Sequence, residues 1–282
     1  MKTRVLAVFP LLFAGAFLVT QAVASDDLTP TLMRVENESG KVLCLLGCLA
    51  AAFAFQRGDY LRLAWIGLAG CEFLLLARDV TLIPTVAQHV AESSLAPVRA
   101  SLMVLANAAA VLGTWILARA WRVAGLQDLQ EDGARRTQAA LFVVGLAGAL
   151  LVEGWPVVEQ ARGLFAGDLR RLPELAPELC DAICFALVVP VLQTALALRG
   201  GALIWPWALL TASGFCWMLY DIAYGAAFAH HPAAVASLRI GSEAFRALAT
   251  TFTAAAGIAQ VQALSLSAAA RSRRRQQSLD RA

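Results

Sequence analysis

Residues 238–263 read LRIGSEAFRALATTFTAAAGIAQVQA, and this stretch indicates most clearly what kind of protein the chain forms. It is apolar and long enough to cross a bilayer as a helix, which requires about 20 residues. Glu243 and Arg246 nevertheless lie within its first two turns. Ionised groups at that depth require partners, and the polar and small residues recur at steps of three and four, on one helical stripe. The stretch therefore predicts a membrane helix whose polar stripe faces protein rather than lipid.

The composition of the whole chain is that of a polytopic membrane protein. Of its 282 residues, 59% are hydrophobic and 15% are charged, whereas soluble domains have about 25% charged residues. Apolar stretches long enough to span a bilayer lie at about 41–56, 60–78, 98–119, 138–157, 179–198, 203–229 and 237–264. We therefore predict an all-α integral membrane bundle of seven transmembrane helices over 41–264.

The amino end has the pattern of a secretory signal peptide. Basic residues precede an apolar run, and small residues then precede Asp26 and Asp27. This pattern predicts a signal peptide over 1–24, cleaved after Ala24, and a short extracytoplasmic tail over 25–40. An uncleaved signal anchor, which would add one span, is the alternative because the apolar run approaches the length of a span.

Basic residues recur in alternate loops and in the tail at 265–282, whereas the opposite loops collect acids. The positive-inside rule places the basic loops in the cytoplasm. We therefore predict a multi-pass protein of the bacterial inner (plasma) membrane, with the amino end outside and the carboxyl end cytoplasmic. The basic tail is predicted to contact anionic lipids of the bilayer, and no nucleic-acid partner is predicted.

Four ionisable residues are predicted to lie inside spans: Glu72, Asp221, Glu243 and Arg246. At 1.5 Å of rise per residue, each lies about 9 to 14 Å below the outer boundary. A charge at the centre of a span costs roughly 2.5 to 3.5 kcal/mol, so these residues are expected to form a polar cluster in the outer half of the bundle. In this cluster we expect Arg246 to pair with Asp221 or Glu72.

Tyr220 and Tyr224 flank Asp221 and complete the predicted site. The site has three carboxylates and one guanidinium, so at least one carboxylate is expected to be protonated or neutralised by a bound cation or amine. The competing interpretation is that the cluster only fixes helix register, because buried ion pairs often serve packing specificity.

Motifs for other chemistry are missing from the sequence. The only lysines, Lys2 and Lys41, lie outside the predicted span cores, which excludes a retinal Schiff base on the seventh helix. The six cysteines follow no metal or disulfide spacing, and His230 and His231 lack further ligands. Phosphate loops, zinc motifs and nucleophile elbows are absent. We therefore predict that the chain is not an enzyme and binds no metal or cofactor.

The stretch PELCDAICFALVVPVLQTALALRGG at 177–201 is followed by YDIAY at 220–224 and GSEAFRALA at 241–249. Together they resemble the multi-span input modules that bacteria place before histidine-kinase or diguanylate-cyclase domains. The resemblance implies a non-enzymatic sensor or accessory subunit, and the sequence ends shortly after the seventh span, so its output would require a membrane or cytoplasmic signalling partner. The alternative function is a small proton- or cation-coupled transporter that uses the same cluster.

Overall fold

The computed structural model describes residues 3–25, 27–83, 86, 88–123, 132–198, 201–229 and 232–279. In these ranges the chain forms eight α-helices and no β-strand. The helices are α1 (Thr3–Val23), α2 (Thr29–Ala54), α3 (Tyr60–Val80), α4 (Glu92–Val123), α5 (Asp132–Phe165), α6 (Leu172–Ala197), α7 (Ile204–Ala229) and α8 (Pro232–Leu279). A short 3-10 helix, Leu169–Arg171, leads into α6.

Seven of the described helices are long and apolar enough to cross a membrane, so the chain is a multi-pass membrane protein. Their apolar segments are Val5–Val23, Thr29–Ala54, Tyr60–Val80, Glu92–Ala120, Val143–Phe165, Leu172–Ala197 and Ser237–Ser267. The predicted all-α bundle with seven such helices is confirmed. The set differs from the predicted one, because it includes α1 and lacks α7, which corresponds to the predicted span 203–229. Helix α7 is 26 residues long, but its tryptophans, tyrosines and Asp221 lower its hydropathy.

Helix α1, the predicted signal peptide, packs against α8 and α2. Ala14 and Phe17 are buried, and Leu6 and Ala7 contact the core that α2 and α8 form with their neighbours. Such packing is what the signal-anchor alternative requires, whereas cleavage after Ala24 stays a prediction.

Helix α2 begins at Thr29, earlier than the first predicted span, and Pro30 occupies its first turn. Proline is tolerated there because the first N–H groups of a helix have no intrahelical acceptor. The polar tail expected over 25–40 is therefore largely helical and continuous with the span at 41–56. This extension places Glu36 and Lys41 on one helix within the bundle.

Small residues bring α8 against α2. A Cβ at Gly257 would collide with the backbone of Gly47, and Thr250 and Thr253 are buried nearby. Close approach through small residues is a main source of helix association in membranes. The prediction that the polar stripe of 238–263 faces protein is confirmed.

Candidate functional site

A cavity of about 300 Å³ lies inside the bundle, lined by residues of α2, α3, α4, α6, α7 and α8. Much of its wall is apolar, including Leu68, Leu75, Phe185, Val188 and Trp217. Charged side chains reach it from four helices, and they are Lys41, Glu72, Arg78, Asp181 and Arg246. A mostly apolar cavity with a few converging polar groups is typical of small-molecule binding sites.

The structure brings some of the predicted site residues together at this cavity. Glu72, Tyr220 and Arg246 line it, and Glu243 is joined to it through an ion pair with Arg246. Asp221 and Tyr224 are not among the described residues that line it. The predicted cluster is therefore divided, with Asp221 on a different side of α7.

Arg246 contacts two side chains at the cavity wall, one on its own helix and one on α7. Its Nη2 donates a hydrogen bond to Glu243 Oε2, and its guanidinium carbon lies 5.7 Å from the centre of the Tyr220 ring. A cation within about 6 Å of an aromatic face is attracted by the ring quadrupole. In the described part of the chain, the expected pairing of Arg246 with Asp221 or Glu72 is not formed. The guanidinium pairs instead with the acid three residues earlier on α8, and its Nε has no hydrogen-bond partner.

Glu72 is held in the cavity wall with part of its hydrogen-bonding capacity unused. The side chain is buried, and Oε2 has no hydrogen-bond partner. The thiol of Cys44 lies near the carboxylate. A buried polar atom without a partner costs roughly 1 to 3 kcal/mol, and more when the group is charged. A donor bound in the cavity would remove this cost.

An ion-pair network that the sequence analysis missed joins α2 to α3. Lys41 is 4% exposed, and its Nζ donates to Asp79 and, at 3.3 Å, to Glu38. Arg78 Nε donates to Asp79 at 2.7 Å. The placement of Lys41 outside the span cores is wrong, because α2 extends back to Thr29. The three-residue spacing of Glu38 and Lys41 in the sequence could have predicted the ion pair between them.

Asp221 faces acids of α5 and α6. Glu153 is 3% exposed, and its carboxyl lies near that of Glu178. Both of these acids and Asp181 interact with Asp221 through Coulomb repulsion, and Asp221 Oδ2 has no hydrogen-bond partner. Glu153 and Asp181 fall within the predicted spans 138–157 and 179–198 but are not part of the predicted site. Helix α6 begins earlier than its predicted span and places Glu178 on a helix as well.

Thiols form a further part of the cavity wall. All six cysteines are free, and Cys44, Cys71, Cys180 and Cys184 line the cavity. Across the described ranges, His, Cys, Asp and Glu form no group of three or more that could hold a metal ion. The adjacent histidines at 230–231 lie outside the described residues.

Comparison of the chain with protein-family models, with curated proteins and with solved structures gives no match. Two features stand out as candidates for function, the unpartnered Glu72 and the acid group around Asp221.

Proposed function

We propose that this chain is a non-enzymatic membrane sensor, or the sensory subunit of a larger complex, that binds a small molecule in the cavity. The observation that supports this function is the continuity of α8. Arg246 of α8 lines the cavity, and the same helix runs on to Leu279. The apolar segment ends at Ser267, so the last 12 residues of the helix, 268–279, extend roughly 18 Å beyond it.

Contacts between α7 and α8 provide a physical route from the cavity to that extension. Ser213 of α7, which lines the cavity, donates a hydrogen bond to the Ala249 carbonyl of α8 at 2.8 Å. Its hydroxyl also lies 2.8 Å from that of Thr253. A ligand that displaces the wall at α7 therefore acts on α8 directly. Helix shifts of about 1 to 2 Å are a common form of switching.

In the proposed arrangement the carboxyl end is cytoplasmic in a bacterial inner membrane, and the α8 extension contacts a membrane or cytoplasmic signalling partner. The basic residues at 271–275 would hold that extension near anionic headgroups. The resemblance of 177–263 to input modules of sensory proteins supports the same function.

A cavity-filling substitution tests this proposal without knowledge of the ligand. Ala110 of α4 lines the cavity, whereas Ala108 on the same helix is exposed. Spin labels on keto amino acids at positions 57 and 277, which are both exposed, would report the position of α8 relative to the α2–α3 turn while leaving the native cysteines in place.

We expect Ala110→Phe to shift the distance between the two labels by about 2 Å or more in lipid nanodiscs, since a displaced wall moves α8. The matched Ala108→Phe should leave the distance unchanged. An unchanged distance in a folded Ala110→Phe protein would contradict coupling between the cavity and the extension.

The acid group around Asp221 favours a second candidate, a small proton- or cation-coupled transporter. Neighbouring carboxyl groups inside a bundle are typical of proton relays, and Asp181 belongs to both this group and the cavity wall. In proteoliposomes with a pH gradient, a carrier would accumulate a permanently charged probe such as N,N,N-trimethyl-2-phenylethylammonium, and Asp221→Asn would abolish the accumulation. A sensor would bind without accumulation.

A further inference from the structure

The cations that line the cavity are already neutralised by carboxylates of the protein. Lys41 and Arg78 lie in a network with two acids, and Arg246 pairs with the acid one turn before it. The acids of these pairs are Glu38, Asp79 and Glu243. Each positive charge of the wall thus has an acid of the protein beside it, which leaves an anionic ligand little uncompensated charge, although Arg246 Nε has no hydrogen-bond partner.

The acids that line the cavity are not matched in this way. Glu72 and Asp181 both line it, and neither takes part in an ion pair among the described residues. The nearest further charges to Asp181 include Glu178, which adds negative charge. With the paired acids Glu38, Asp79 and Glu243 included, the cavity and its immediate neighbours hold five carboxylates and three cations, which is an excess of acid.

Glu72 is the lining acid that most clearly lacks a partner within the protein. It is 7% exposed, and its Oε2 has no hydrogen-bond partner, although it lines an open space. Leu68 and Leu75, one turn away on either side along α3, are lining residues too. A buried carboxylate in apolar surroundings is strongly unfavourable unless it is paired or protonated.

We propose that the cavity binds a small organic ammonium ion, with its charged nitrogen at Glu72 and its apolar body against the walls formed by α4 and α6. This inference rests on the proposed function, because it names the class of ligand that the cavity takes. Metal cations of the Ca²⁺ or Mg²⁺ type require cages of several oxygen ligands, whereas much of this wall is apolar and the described residues form no group of three or more His, Cys, Asp or Glu that could hold a metal ion. Its volume of about 300 Å³ is at the lower end for ligand pockets, so the ligand is compact.

Three probes of one skeleton test the charge of the ligand on the full chain in lipid nanodiscs. They are 2-phenylethylamine, which is cationic at neutral pH, the neutral 2-phenylethanol and the anionic phenylacetate. By calorimetric titration we expect the amine to bind about tenfold more tightly than either of the others, because a hydrogen bond to a charged group is worth about that factor.

The matched variants are Glu72→Gln and Glu36→Gln. Both remove a buried carboxylate that has an oxygen without a hydrogen-bond partner, but Glu36 is not a cavity-lining residue. Glu72→Gln should weaken binding of the amine about tenfold and leave 2-phenylethanol unchanged. Glu36→Gln should leave the affinity for both probes unchanged.

The comparison of the three probes on the unmodified chain does not depend on the folding of any variant. Equal affinities for amine and alcohol, a preference for phenylacetate, or no binding of 2-phenylethylamine would each overturn the ammonium assignment. The same holds if a folded Glu72→Gln protein binds the amine with unchanged affinity. The displacement of α8 by Ala110→Phe then still decides the proposed sensor function, since that measurement uses no ligand.

Discussion

Gly47→Ala should loosen the contact between α2 and α8 on which the cavity depends. A Cβ at position 47 would lie 2.6 Å from the Ala254 carbonyl oxygen and 2.7 Å from the Ala254 Cα. Carbon and oxygen atoms in close contact are usually about 3.3 Å apart or more, so α8 must retreat by roughly 0.7 Å. Both neighbours are backbone atoms, and a change of side-chain rotamer gives no relief. Overpacking of this kind costs about 1 to 3 kcal/mol, and a gap of this size forfeits about a quarter to a half of the dispersion energy along the contact.

We therefore expect Gly47→Ala to lower the free energy of unfolding by about 2 to 3 kcal/mol, as measured by thermal unfolding in nanodiscs. Gly70→Ala is the matched control, because a Cβ there meets only the Cβ of Ala109, at 3.9 Å. That substitution should be neutral or stabilising, since alanine is favoured over glycine within helices by about 1 kcal/mol. Equal stability of Gly47→Ala and the unmodified chain would refute the close crossing of α2 and α8.

Two further predictions concern the charged groups. Glu243→Gln and Arg246→Ala should have non-additive effects on stability, because the two side chains form an ion pair. As the control, the effects of Asp221→Asn and Arg246→Ala should add within about 0.5 kcal/mol. Additive effects of Glu243→Gln and Arg246→Ala would contradict the ion pair. Glu153→Gln removes one acid of the group around Asp221 and thereby lowers the repulsion within it. This variant should therefore lose less stability than the unmodified chain as the pH is raised, and an equal loss would mean that Glu153 does not interact with these acids.

Helix-local features of this protein could be predicted from the sequence, because they depend only on spacing. The stripe of α8 with Thr250 and Thr253 is buried as its period predicts. Counting residues along the spans also placed Glu72 and Arg246 at similar depths, and both line one cavity. Depth along a helix is a local quantity that rise per residue determines.

The rotation of one helix relative to its neighbours is not a local quantity. The predictions that depended on it, that Asp221 joins the cluster and that Arg246 pairs with Asp221 or Glu72, were wrong. Asp221 and Tyr220 are adjacent in sequence, yet only Tyr220 lines the cavity. Asp221 interacts with acids of α5 and α6 instead. The start of the first span was likewise predicted too late. Hydropathy counts Lys41 as an isolated charge, whereas in the structure Asp79 on another helix neutralises it. Such compensation is visible only once the helices are packed.

The buried charges of this bundle fall into two kinds, and the difference bears on function. Lys41 with Asp79, and Arg246 with Glu243, are paired within the protein, and packing specificity is a sufficient reason for them. Glu72 is buried without a cation partner among the described residues and has an unsatisfied oxygen. Stability alone would favour an apolar residue of similar size at this position. A group that costs stability and lines a cavity is more readily explained by a ligand than by the fold.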